Sequence, residues 1–231
     1  QAAFFGVGAY AAGIYAVHIS GEPLSGLLVG AIAAAIVGFV SGLVILRTTG
    51  LTLLMLTLAV TSLLAAAAND AVGLTGGNNG LQGVTINPVL GWFDFDLYGR
   101  TAYLYCLAVL FVAWLFVRRL VHSPFGQTLV GIRENVVRMH AIGVPVRIRL
   151  LTAYTISAAL AGVAGALLTQ TTQFVGLTVL SFERSGEVVI MLVLGGAGRM
   201  YGAFIGAALY MIAQDQLAEA DPVFWDFWIG L

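Results

Sequence analysis

LSGLLVGAIAAAIVGFVSGLVIL, residues Leu24 to Leu46, runs for 23 residues without a charge. As a helix it rises about 1.5 Å per residue, roughly 35 Å in all, which exceeds a hydrocarbon core of about 30 Å. No water is available there, so the backbone bonds within its own segment and the run is read as a membrane-spanning helix. Gly26, Gly30, Ala34, Gly38 and Gly42 recur four residues apart. They form one stripe of small residues, a surface that lets another helix backbone approach closely. The rest of the chain fits this reading. It is 60% hydrophobic and 9% charged, with a mean hydropathy of +0.97, whereas soluble domains carry about 25% charged residues. The expected fold is all-α, a polytopic transmembrane bundle and a single membrane domain over residues 1–231.

About seven spans follow: Ala2 to Val17, Leu24 to Leu46, Leu51 to Ala68, Thr101 to Val117, Leu150 to Leu168, and two short arms, Ser185 to Gly198 and Met200 to Gln214. The arms read either as two short spans or as a broken helix pair, because glycine-interrupted segments permit both. The first run is short and begins at once, so the chain is expected to be truncated at both ends. Asn69 to Arg100 is a long loop with TGGNNGLQG at Thr75 to Gly83, and Trp92 and Phe93 are expected at the headgroup level.

Numbering the spans alternately places Arg47, Arg118, Arg119, Arg133, Arg138, Arg147, Arg149 and Arg199 on one side. That is eight of the ten arginines, and Glu134 is the one acid among them. The positive-inside rule makes this side cytoplasmic. There is no lysine, which excludes both a P-loop, whose lysine reaches nucleotide phosphates, and a Schiff-base lysine. Cys106 is the single cysteine, so no disulfide and no thiol metal site is expected. No group of His, Cys and carboxylates has catalytic or metal-binding spacing. A net charge of -1 offers no basic footprint, and no nucleic-acid partner is expected.

SPFGQTLVGIRENVVRMHAIGV, Ser123 to Val144, is the longest polar and basic island. Pro124 and Gly126 mark a helix start; Leu129, Ile132, Val136, Val137 and Met139 recur at helical spacing; Gly143 and Pro145 mark a stop. The spacing predicts one short amphipathic helix of about three turns. Such a helix can lie on lipid, pack on its own bundle or dock into a partner's groove.

Several motifs together resemble one family. They are AAFFGVGAY (Ala2 to Tyr10), LMLTLA (Leu54 to Ala59), TGGNNGLQG (Thr75 to Gly83), SPFGQTLVGIREN…AIGV (Ser123 to Val144) and VLGGAGRMYGAFIGA (Val193 to Ala207). In this order they resemble the LivM-type permeases of branched-chain amino acid ABC importers. The resemblance implies a bacterial inner-membrane subunit working with a LivH-like second permease, two cytoplasmic ATPases and a periplasmic or extracellular solute-binding protein. It implies no cofactor of the chain's own, ATP being bound by the partner subunits. It also implies that residues 123–144 are the segment docked on the ATPase. The coupling residues are then Pro124, Phe125, Gly126, Leu129, Ile132, Arg133, Glu134, Asn135, Ala141 and Gly143. His140 and Pro145 depart from the family pattern.

Two other readings stand beside it. Permeases for urea or short amides look very similar. A self-sufficient secondary transporter or channel usually carries ionisable residues mid-membrane, and the long spans here have none. The candidates for a polar path are Thr57, Thr61, Gln170, Gln173 and Glu187. Each has a structural alternative: hydroxyls bond their own helix, glutamines cap a helix end, and Glu187 pairs with Arg184 or reaches the outer headgroups.

Overall fold

The computed structural model describes residues 1–88, 100–196, 198 and 201–220. Trp92, Phe93, Arg199 and the tail from residue 221 onward lie outside the described residues. The chain packs as two units, Gln1–Phe182 and Glu183–Leu231. Among the described residues the structure is helical without a strand; Leu81 and Val175 form one isolated antiparallel bridge.

The first unit holds α1 (Ala2–His18), α2 (Pro23–Ile45), α3 (Leu51–Asp70), a single turn α4 (Val72–Thr75), α5 (Arg100–Val121), α6 (Pro124–Glu134), α7 (Val136–Ala141) and α8 (Val146–Thr172). Four of these, α2, α3, α5 and α8, are long and apolar enough to cross a membrane. The apolar α1 is shorter, at 17 residues. The boundaries move where caps were hidden in the sequence. Asn69 and Asp70 continue α3, and most of the polar run Thr169 to Gln173 is the last turn of α8, which ends where Gln173 turns left-handed at φ 54°.

The stripe on α2 is the centre of this unit. A Cβ added at Gly26 would meet Gln170; at Gly30, Ala166 and the carbonyls of Gly8 and Gly162; at Gly38, Ala158; at Gly42, Tyr154. Gly162 in turn faces Ala34. Each step of four down α2 is therefore matched by a step of four up α8, an antiparallel contact kept in register over five paired positions. Backbones touch because no side chains intervene. The helix α1 joins the same crossing, with Gly8 on the backbone of Gly162 and Gly165 on the carbonyl of Phe5. Ala34, Ala158 and Ala166 are fully buried as a result.

One end of the unit collects charge. Arg47 and Arg147 line a common cavity there. The Arg149 guanidinium lies 5.5 Å from the Phe125 ring centroid, a cation–π contact joining α8 to α6. The opposite end is apolar and turn-rich. Ala9, Tyr10, Leu81, Val84, Val175, Val179 and Leu180 cluster beneath the bridge between Leu81 and Val175.

The second unit holds α9 (Phe182–Gly195) and α10 (Gly202–Ala220). These two helices approach through glycine: Gly195 lies on the backbone of Gly202, and Gly206 on the carbonyl of Met191. Arg184 and Glu187 pair at 3.1 Å on the first turns of α9. At 14 residues, α9 rises about 21 Å, less than a hydrocarbon core.

Candidate functional site

The segment at the arginine-rich end begins with a cap that the sequence dictates. Ser123 is extended, its hydroxyl accepts the Gly126 N–H at 3.4 Å, and Pro124 follows at the first helical position. Gly126 lies so close to the carbonyls of Leu120 and Val121 that a side chain there would open the turn between α5 and α6.

The expected single amphipathic helix is two helices. Asn135 is extended, at φ −156° and ψ 100°, and ends α6 while starting α7. Its side chain accepts the Arg138 N–H at 2.9 Å, so it caps the second helix. Asparagine in an interior position reads as a merely polar residue; its ability to bond the backbone three residues on is what breaks the helix. The far end closes as the sequence suggests. Gly143 has φ 82°, its N–H bonds the His140 carbonyl at 3.0 Å, and the Val144 N–H bonds the Met139 carbonyl at 3.1 Å. This is a Schellman end, with glycine at its left-handed position.

The break redistributes the apolar face. Ile132 is buried within the chain, at 4% exposed, and Leu129 is half-buried. Val130, Val136, Val137 and Ile142 are exposed, with Val137 at 78%. Arg133, Glu134, Asn135, Arg138 and Ala141 are exposed around them. So α6 buries Ile132 within the chain and leaves Val130 exposed, and α7 presents an unpartnered surface of two valines rimmed by arginines.

The polar candidates fall into three environments. Gln170, 4% exposed, receives the Tyr105 hydroxyl at 2.9 Å and donates to the Pro23 carbonyl at 2.7 Å. It ties α8 to α5 and α2 deep in the first unit. Thr169 beside it donates to the Ala9 carbonyl at 2.9 Å, tying α8 to α1. Thr57 and Thr61 bond the carbonyls of Leu54 and Thr57 on their own helix. Gln173 is an exposed helix end, and Glu187 pairs with Arg184 in the second unit. The candidates of the first unit therefore do not converge on one site.

Sequence reasoning did not single out Tyr105, Thr75 or Tyr10, and marked Thr169 only as part of a polar run. Thr75 sets the glycine-rich turn: its hydroxyl lies 2.5 Å from the Ala68 carbonyl and accepts the Gly77 N–H at 3.3 Å. The Tyr10 hydroxyl is buried without a hydrogen-bond partner among the described residues. The polarity of Thr169 and Gln170 inside an apolar run was a visible signal; their partners, more than 60 residues away, were not.

Comparison with known proteins agrees with the motifs. A family model described as the branched-chain amino acid transport system permease component matches residues 1–230. The chain is 31% identical over 219 residues to the high-affinity branched-chain amino acid transport system permease protein LivM of Escherichia coli K12, covering 85% of this chain and 50% of that protein. It is 31% identical over 220 residues to LivM of Salmonella typhimurium, with the same coverage. A probable branched-chain amino acid transport permease protein LivM of Methanocaldococcus jannaschii is 28% identical over 211 residues, covering 85% of this chain and 58% of that protein. The chain spans about half the length of the curated relatives it matches. No solved structure matches it significantly. Five motifs in family order, a multi-pass helical architecture and a family match along nearly the whole chain lead to one statement: the chain belongs to the permease-component family of branched-chain amino acid transport systems.

Proposed function

We propose that the chain is a membrane-embedded permease subunit of an ABC importer for branched-chain or related small amino acids. Residues 1–231 act as one permease domain, beside a LivH-like second permease. Two cytoplasmic ATPase subunits bind and hydrolyse ATP, and the chain needs no cofactor of its own. A periplasmic or extracellular solute-binding protein delivers the solute. The location is the bacterial inner membrane, with the arginine-rich end in the cytoplasm by the positive-inside rule.

The observation that carries this reading is the capped pair α6 and α7 at the arginine-rich end. The α6 half is anchored to the bundle through Ile132 and the Phe125–Arg149 contact, while α7 leaves Val136 and Val137 exposed. A short helix set off by a capping asparagine, with exposed valines rimmed by basic residues, suits a groove on another protein. The match to permeases along residues 1–230 supports the same reading.

The test is reconstitution. The full-length chain with its cognate permease, ATPases and binding protein should take up leucine or valine in proteoliposomes only when ATP is supplied. ATP hydrolysis by the purified chain alone, or uptake without the ATPases, would overturn the assignment. Uptake of urea or a short amide in place of leucine would move the solute class and leave the architecture of the machine intact.

A further inference from the structure

At the arginine-rich end a small cavity of about 150 Å³ lies between the C-terminal end of α2 and the N-terminal end of α8. Gly42, Leu43, Leu46, Ile148 and Leu151 line it, together with Arg47 and Arg147. We propose that this cavity is a binding site for an anionic phospholipid, its phosphate held between Arg47 and Arg147 and an acyl chain laid along the outer face of α2. The inference is independent of the transport reading.

Three observations carry it. The first is charge: two arginines from two different helices share one cavity, and no carboxylate lines it. Among the described residues neither arginine makes an ion pair or a side-chain hydrogen bond. Both are exposed, so together they make the cavity mouth electropositive, and a guanidinium fork matches the geometry of a phosphate. The second is the wall. Apart from the arginines it is aliphatic, with Leu43 and Ile148 exposed, so the site suits a ligand that is charged at one end and apolar beyond it. The third is continuity. From Leu43 the exposed face of α2 runs through Val40, Phe39, Ile36 and Ile32, toward the far end of the span. That is an exposed apolar strip about 16 Å long at 1.5 Å per residue. The arginines therefore sit where a headgroup would be, and the apolar strip runs where a tail would be. Basic pockets between spans on the cytoplasmic side have this character in membrane proteins generally. An acidic side chain from a partner protein would satisfy the charge but would leave the apolar strip unused.

The test uses the full-length chain, purified in detergent, stripped of lipid and titrated with dioleoyl phosphatidylglycerol or dioleoyl phosphatidylcholine under native mass spectrometry. The wild type should retain phosphatidylglycerol in clear preference to phosphatidylcholine, and lose it as salt rises. Arg47→Gln or Arg147→Gln alone should weaken binding about five-fold, and the two together about thirty-fold. Arg100→Gln, at the opposite end of α5, should change nothing. The double Arg→Lys variant keeps the charge and loses the fork, so it should bind more weakly than the wild type and more tightly than the double glutamine variant; the two single glutamine variants keep the site testable if the double one folds poorly. Equal binding of the two lipids, or wild-type affinity in the double glutamine variant, would overturn the proposal. So would complete displacement by low millimolar inorganic phosphate, which would reduce the site to one for a free anion without a tail.

Discussion

The crossing of α1, α2 and α8 at Gly8, Gly30 and Gly162 gives a quantitative test of the fold. In Gly162→Ala the new methyl would lie 2.6 Å from the Gly30 carbonyl, against an ordinary contact of 3.4 Å or more, and would also meet the Ala34 methyl. These neighbours are backbone or a Cβ, so none can turn aside. The helices must part by roughly 1 Å, and a gap of that order forfeits about a quarter to a half of the local dispersion attraction. Overpacking of this kind costs about 1–3 kcal/mol. Alanine returns about 1 kcal/mol of helix propensity relative to glycine, so the net loss should be about 0–2 kcal/mol, and about 1–3 kcal/mol relative to an unhindered glycine-to-alanine change. Gly186→Ala is the control, since a Cβ there meets nothing within 4 Å; it should be neutral or slightly stabilising. The assay is thermal unfolding of the purified full-length chain in one detergent, followed by intrinsic fluorescence and size-exclusion recovery. A midpoint for Gly162→Ala equal to that of Gly186→Ala would refute the backbone contact. Gly162→Leu should abolish recovery altogether.

Three further outcomes are expected. Val137→Asp, on the exposed tip of α7, should leave folding intact and uncouple ATP hydrolysis from uptake in the reconstituted complex, whereas Ile132→Asp should lower the yield of folded protein by placing a charge in a buried site. Asn135→Ala should remove the cap of α7 at a cost of about 1 kcal/mol and speed hydrogen exchange at residues 138–141, while Asn135→Asp should preserve protection. Gly143→Val should be worse than Gly143→Asn, because valine tolerates φ 82° poorly and asparagine tolerates it well; the readout is folded yield followed by coupled uptake.

Much of the architecture was legible because membrane physics leaves few choices. A 23-residue uncharged run can do little but span, and a small-residue stripe can do little but pack. The partner of that stripe was half-visible: Ala158, Gly162 and Ala166 repeat the same step of four on α8. The span count was not legible to the same degree. Among the described residues four helices are long and apolar enough to span, and the arms around Gly195 and Gly202 form a glycine-lined hairpin in which α9 is short. In the polar segment both ends were readable from Pro124, Gly126 and Gly143, since each does its work through its own backbone. Asn135 was not, because capping and interior asparagines look alike without φ and ψ. Periodicity also marked Ile132 as apolar-facing but could not say what it faces. The role of Gln170 needed Tyr105 and Pro23, which only the packed bundle brings to it.

The glycine crossing has a mechanical consequence. Side chains between helices act as springs, allowing small slides and rotations as they change rotamer. Where Gly8, Gly30 and Gly162 meet, there are no springs, and a slide along α2 would run the Ala34 methyl into α8. Thus α1, α2 and α8 form a keyed block that moves as one body. Compliance is left to the helices keyed least: α3, with no buried residue among those described, and α5, where Tyr105 alone is buried. A probe of motion during turnover belongs on those two helices, with its reference point on the block.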